Sequence, residues 1–238
     1  MSPIWIIAKR ELHSFFDSLV AYIMLVAFLG FSGFFTWLFG GDIFFRKEAS
    51  LQVFFGVAFW TLFFFIPAIT MRQLAEEKKS GTIELLLTKS ISNRQLVVGK
   101  WLACFILVSI ALLFTIPYYI SVARLGDIDH GATICGYLAL VLMSGVYVSI
   151  GIFASSLTNN QIVSFLVALL IGIFFHFLFD VIASGTSGLL SELMSTLSLS
   201  SHFESISRGV LDSKDLIYFI SITLFGLLMS EFTISKRN

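Results

Sequence analysis

The sequence predicts an all-α polytopic membrane protein with six transmembrane helices, an N-terminal interfacial elbow helix and an amphipathic cytoplasmic segment, and three observations carry that prediction. Hydrophobic residues make up 57% of the 238 positions against 13% charged, with a mean hydropathy of +0.93 and 27 Phe, too little polar surface to cover a soluble domain of this size. Five apolar runs approach or exceed the roughly 20 residues that a helix needs to cross a bilayer, and a sixth is shorter. Between the second and third runs lies the one long polar break, 72–100, which is itself amphipathic.

Taken in order, residues 3–17 place Ile4, Ile7, Ala8, Leu12, Phe15 and Phe16 at helical spacing, with Lys9, Arg10, His13 and Asp17 on other faces. That pattern predicts an elbow helix lying in the membrane interface, since central burial of Lys9 and Arg10 would cost about 2.5–3.5 kcal/mol each. Spans follow at about 19–39, 51–71, 101–123, 132–154 and 162–181. The sixth run, 216–230 between Asp215 and Glu231, gives only about 22 Å of helix and is expected to thin the bilayer or carry a charge at its edge, ending near 232. Chain 1–238 therefore reads as a single transmembrane domain.

Net charge is zero, which argues against nucleic acid as a partner and leaves the information in where the charges fall. With the N-terminus inside, the inner segments carry ten Lys and Arg against five outside, so both termini are expected in the cytoplasm. No cleavable signal peptide is expected, and the first run stays as an anchor. Cys104 and Cys135 fall near opposite membrane faces, too far apart for a disulfide. Outside, 182–215 holds Ser184-Gly185-Thr186-Ser187-Gly188 and then an apolar stripe, Leu189, Leu190, Leu193, Met194 and Leu197, which fits a re-entrant and an interfacial helix equally well.

The polar break is organised. Glu76, Glu77, Lys78 and Lys79 precede Ser80-Gly81-Thr82, where Gly81 suits a turn, and Ile83, Leu86 and Leu87 then lie at helical spacing beside Glu84. A short helix is predicted over 82–88. Ser92 with Gln95 has the S-x-x-Q form of a capping box and predicts a second helix starting at Asn93 and running into the third span.

These residues resemble a known family. The run Glu76-Glu77-Lys78-Lys79-Ser80-Gly81-Thr82-Ile83-Glu84-Leu85-Leu86-Leu87-Thr88, with Ser92 and Gln95 to Lys100, is similar to the loop after the second span of ABC-2 type transporter permeases. Ser155 to Val163, and His202-Phe203 with Ser207 to Asp212 and Asp215 to Phe219, resemble later stretches of the same family, most closely its gliding-motility-associated permease and more distantly permeases of nitrous-oxide-reductase maturation systems. Members often carry a proline after the Leu-Leu-Thr run, where this chain has Lys89-Ser90, so a softer break is expected there.

The resemblance implies a permease subunit of an ATP-driven complex in a bacterial inner membrane, with a coupling helix contacting a separate ABC ATPase. Its contact residues would be Glu76, Glu77, Gly81, Thr82, Ile83, Glu84, Leu86 and Leu87. ATP and Mg would bind the ATPase, and this chain would bind no cofactor. A second permease, identical or different, would complete the membrane part, and the gliding-motility likeness implies a heteromeric one with a large extracytoplasmic domain. The residues agree with an external energy source: Gly99-Lys100 is no P-loop, because Arg94 stands where its first Gly belongs and Trp101 where Ser or Thr belongs. The 29 residues of 72–100 are too few for a nucleotide-binding domain, which needs at least about 50.

Two other classes have partial support in the sequence. An ATP-independent secondary transporter or channel needs ionisable groups or broken helices near the midplane, and five of the runs have no charge in their interiors, with Pro67 and Pro117 near span ends. An intramembrane protease would use Gly30-Phe31-Ser32-Gly33 with His176, although that small-residue patch suits helix packing better. His176 and Asp180, four apart, are expected to pair among outer headgroups, and His13, His130 and His202 are too scattered for a metal site.

Overall fold

The computed structural model describes residues 2–39, 48–82 and 91–236. Six helices in it are long and apolar enough to cross a membrane: Leu19–Trp37, Gln52–Ser80, Asn93–Leu125, His130–Leu157, Gln161–Gly185 and Ser213–Ser235. The protein is an all-α, multi-pass membrane protein. Six crossings return the chain to the side on which it began, so one end of the bundle, here the terminal end, carries both chain ends.

Helix α1 (Pro3–Asp17) opens on Pro3, where the missing N–H costs nothing, and buries Ile7, Ala8 and Phe15. Ser18 turns extended and makes the elbow, its hydroxyl donating to the Phe15 carbonyl at 3.0 Å. Helix α2 (Leu19–Trp37) follows. Tyr118 approaches it so closely at Gly33 that a Cβ there would lie 2.8 Å from the Tyr118 hydroxyl, which accounts for Gly33 as a packing residue.

Helix α3 (Gln52–Thr70) continues through Pro67, and the Thr70 hydroxyl donates to the Ile66 carbonyl at 2.9 Å. A turn over 71–74 then leads into α4 (Ala75–Ser80), so the second crossing helix extends well beyond 71. The third begins at Asn93, not 101, under the capping box: Ser92 accepts from the Gln95 amide at 3.2 Å and Gln95 Oε1 from the Ser92 amide at 3.1 Å. It breaks between α5 (Asn93–Leu113) and α6 (Ile116–Leu125), where Pro117 lacks a donor; the carbonyl of buried Thr115 accepts from the Tyr137 hydroxyl at 3.0 Å.

Helix α7 (His130–Leu157) is the most buried of the six and the axis on which the others pack. Its Gly151 meets Thr70 of α3 so closely that a Cβ would lie 2.0 Å from Thr70 Oγ1. Helix α8 (Gln161–Ile173) runs into a π-helical turn (Phe174–Leu178) and α9 (Phe179–Gly185). The expected headgroup pair of His176 and Asp180 is not formed, because each takes a partner from another helix. His176 is buried and bonded to the Tyr147 hydroxyl, while Asp180 is exposed and accepts from Ser201 at 3.4 Å.

The outer segment forms two helices. In α10 (Leu189–Leu197) no residue is buried and the stripe of leucines is exposed; α11 (Leu199–Ser207) buries Leu199, His202, Phe203 and Ile206, packing against α7 and the π turn. Helix α12 (Ser213–Ser235) starts three residues before the apolar run and has 23 residues, about 35 Å, which removes the need for a thinned bilayer. Asp215 in its first turn is buried and held by His202 Nδ1 at 2.6 Å. Cys104 and Cys135 are both buried and free.

Candidate functional site

The polar break and the elbow helix meet at the terminal end. Where the chain leaves α3, one hydroxyl organises the turn: Ser155 Oγ, from the end of α7, accepts from the Leu74 and Ala75 amides, both at 3.0 Å, and donates to the Met71 carbonyl at 2.9 Å. Two of the otherwise unsatisfied N–H groups at the start of α4 are thereby capped from another helix. Lys78 adds a bond from its ammonium to the Ser156 carbonyl. Helix α4 is thus seated on the end of the fourth span.

Its other face carries Glu77 into an ion cluster. Lys100 of α5, only 1% exposed at its side chain, sits 2.8 Å from Glu77 and 3.3 Å from Glu11 of the elbow helix. Arg10 lies 2.5 Å from Glu11 and 3.5 Å from Glu77. Two cations face two carboxylates, so the cluster is neutral, as a largely buried group of charges must be. Burial raises the Glu11 carboxyl, but the charges of Lys100 and Arg10 and their hydrogen bonds outweigh it and hold Glu11 below its ordinary value. Close backbone approach makes the cluster possible: at Gly99 a Cβ would lie 2.8 Å from Ile7 and 3.1 Å from the Ile4 carbonyl.

Beside the cluster is a cleft of about 580 Å³. Arg72, Phe15, Gln73 and Glu76 line it, the Arg72 guanidinium lying 5.8 Å over the Phe15 ring and 3.5 Å from the Ser18 hydroxyl. Gly81 ends α4 at φ +71, a left-handed conformation that favours glycine, and Thr82 bonds back to Ser80 at 2.9 Å.

Of the sequence-predicted contact residues, Glu76, Glu77, Gly81 and Thr82 lie together on and after α4. Glu76 is exposed, whereas Glu77 is already engaged by Lys100. Ile83, Glu84, Leu86 and Leu87 lie outside the described residues, as does most of the helix expected over 82–88. Sequence reasoning missed Ser155, Glu11, Arg10 and Lys100. Lys100 immediately before Trp101 and a long apolar run was the visible signal, since an ammonium at that position needs a partner.

The arrangement contains no paired nucleophile and base among the residues suggested for proteolysis. Ser32 bonds back to the Leu29 carbonyl at 3.4 Å and His176 bonds Tyr147. What the cluster can do is mechanical: displacing α4 from α1 and α5 would expose Lys100 and break two ion pairs, Glu77 with Lys100 and Glu77 with Arg10, so the three elements resist separation.

A family model described as ABC-2 family transporter protein matches residues 45–229, more than three quarters of the chain. The chain belongs to the ABC-2 transporter family. No curated protein matches it. Membership makes it the permease type of chain, with an ABC ATPase and a membrane dimer as the family's general setting. In this ABC-2 permease the match begins after α2, so the ion cluster joins Glu77 and Lys100, inside the matched region, to Arg10 and Glu11, outside it.

Proposed function

We propose that this ABC-2 permease is driven by a separate ATP-binding-cassette subunit docked on its 72–100 segment, which converts ATPase closure into a tilt of the second and third spans. The observation that carries the reading is the seating of α4 on three partners at once: Ser155 of the fourth span, Lys100 of the third and the elbow helix through Arg10. A push on such an element moves several spans as a body. Ile83, Leu86 and Leu87 would fill a cleft of the ATPase, with Glu76 and Glu84 at its rim, Gly81 and Thr82 setting the angle, and Glu77 bound inward as the joint. ATP and Mg would reside on the ATPase.

The terminal end would then be cytoplasmic, in a bacterial inner membrane, which the ten-to-five distribution of Lys and Arg supports. A second permease subunit, identical or different, would complete the complex. The output is export or mechanical work across the membrane; the resemblance of the chain to gliding-motility-associated members of the family is the ground for the mechanical version. Co-purification from mild detergent with the candidate ATPase tests the docking. The intact chain is expected to retain the ATPase and Leu86→Asp to lose it with the membrane fold preserved; no retention by the intact chain would refute the reading.

A further inference from the structure

Away from the terminal end, Trp60 of α3 stands between two cavities of different chemistry. One is a groove of about 350 Å³ between the first and second spans, walled by Phe31, Trp60, Thr61, Phe64 and Phe65. Its one hydroxyl, on Thr61, is spent on the Val57 carbonyl at 2.7 Å, so the groove offers only apolar and aromatic surface. The other is a cleft of about 490 Å³ between α3, the π turn and α11, to which Phe59, Trp60, His176, Asp180, Phe203 and Glu204 contribute.

The cleft has two unmet requirements. Glu204 is neutralised by Arg208 at 2.8 Å, but Asp180 has no cation within salt-bridge distance among the described residues, only a Ser201 hydroxyl at 3.4 Å. One negative charge is left over beside the half-exposed face of Trp60, and a cation is attracted by both a carboxylate and an indole face. His176, 2% exposed, is packed against Phe59 at 4.1 Å, Trp60 at 4.4 Å and Phe63 at 4.6 Å between ring centroids, and its Nε2 has no partner. Among the described residues the buried Tyr147 hydroxyl bonds His176 Nδ1, and with the phenol as the donor Nε2 carries the imidazole hydrogen. The cleft thus asks for a cation and, nearby, a hydrogen-bond acceptor.

We infer that Trp60 marks a binding site for a zwitterionic amphiphile with an ammonium headgroup, of the phosphatidylethanolamine class. Its acyl chain lies in the aromatic groove, its ammonium group against Asp180 and the Trp60 face, and its ester or phosphate oxygens accept from His176 Nε2–H. An apolar chain joined to a cation that is joined to acceptor oxygens matches the two cavities and the single surplus charge together. This inference rests on the membrane-spanning fold and not on ATPase coupling, so the two stand or fall separately.

The test uses the intact chain alone in mixed micelles, with phosphatidylethanolamine carrying brominated chains as the probe and phosphatidylglycerol with the same chains as the control. Tryptophan fluorescence is the readout, and Trp60→Phe identifies the contribution of Trp60. The ethanolamine lipid is expected to reach half-maximal quenching at a roughly three- to fivefold lower mole fraction, the scale of one exposed ion pair with a cation–π contact. Asp180→Asn, at an exposed position, is expected to equalise the two lipids. Equal quenching by both lipids in the intact chain, a preference that survives Asp180→Asn, or quenching untouched by Trp60→Phe would each overturn the site.

Discussion

Lys100 is the residue on which the terminal end depends, because its ammonium is almost fully enclosed and has two carboxylates for company. Replacing it by Met leaves Glu11 and Glu77 facing one another with only the half-exposed Arg10 between them. Breaking a buried pair from one side costs about 3 kcal/mol or more, whereas neutralising the whole set costs far less. Lys100→Met is therefore expected to lower the melting temperature in detergent by several degrees, and adding Glu11→Gln with Glu77→Gln to restore much of it. An undiminished melting temperature in the single variant would refute the cluster's role. Glu11 adds a pH dependence of known sign. Its folded-state value lies below the ordinary 4.5, so its contribution is complete above that pH and is lost as pH falls through the lowered value. Acid titration of the intact chain should loosen the elbow helix below about pH 4.5, as seen by protease access at Ser18, and Glu11→Gln should flatten that response.

At the scale of elements, the contact between α1 and α5 is set by backbone proximity. A methyl group at Gly99 would enter the Ile7 side chain and press on the Ile4 carbonyl, so Gly99→Ala is expected to destabilise by about 1–3 kcal/mol and Ile7→Ala to rescue it in part. A thermal-melt comparison of the two single variants and the double decides this, and additivity of the losses would refute the contact. The same region shows what the sequence could and could not convey. Periodicity at Ile4, Ile7 and Phe15 reveals an amphipathic helix, and Ser92 with Gln95 reveals where α5 starts, because capping and periodicity are local properties. The start of the sixth span is not a local property, since Asp215 reads as a boundary in the sequence and is buried in the fold only because His202, from a separate helix, pairs with it. The π turn at His176 leaves no local signature at all: the neighbours that hold it, Tyr147, Phe59 and Ser200, come from three other elements.

For the whole molecule, the proposed coupling would make the fourth span the element through which a push at α4 spreads, because it is the most buried of the six crossing helices and ends in the hydroxyl that caps α4. The pairing of Ser155 with amides 80 and 81 positions away arises only when the second and fourth spans cross closely, as Thr70 and Gly151 do, which is why the sequence shows Ser155 merely as the end of an apolar run. Docking and transmission are then separable. The proposed docking residues, Leu86 foremost, follow Gly81 in the sequence, whereas Ser155 lies beneath α4 with no exposure. Ser155→Ala leaves two amides and a carbonyl without their partner, a loss of roughly 1–3 kcal/mol that a bundle of this size should survive. The expected phenotype is an assembled complex that no longer transmits: the ATPase still co-purifies, but its hydrolysis rate ceases to respond to assembly with the permease. Measuring ATPase retention and ATPase rate on the same Ser155→Ala preparation separates the cases. Loss of both would mean that Ser155 serves only to build the docking surface, and loss of neither would mean that the push travels through Lys100 and the elbow helix instead.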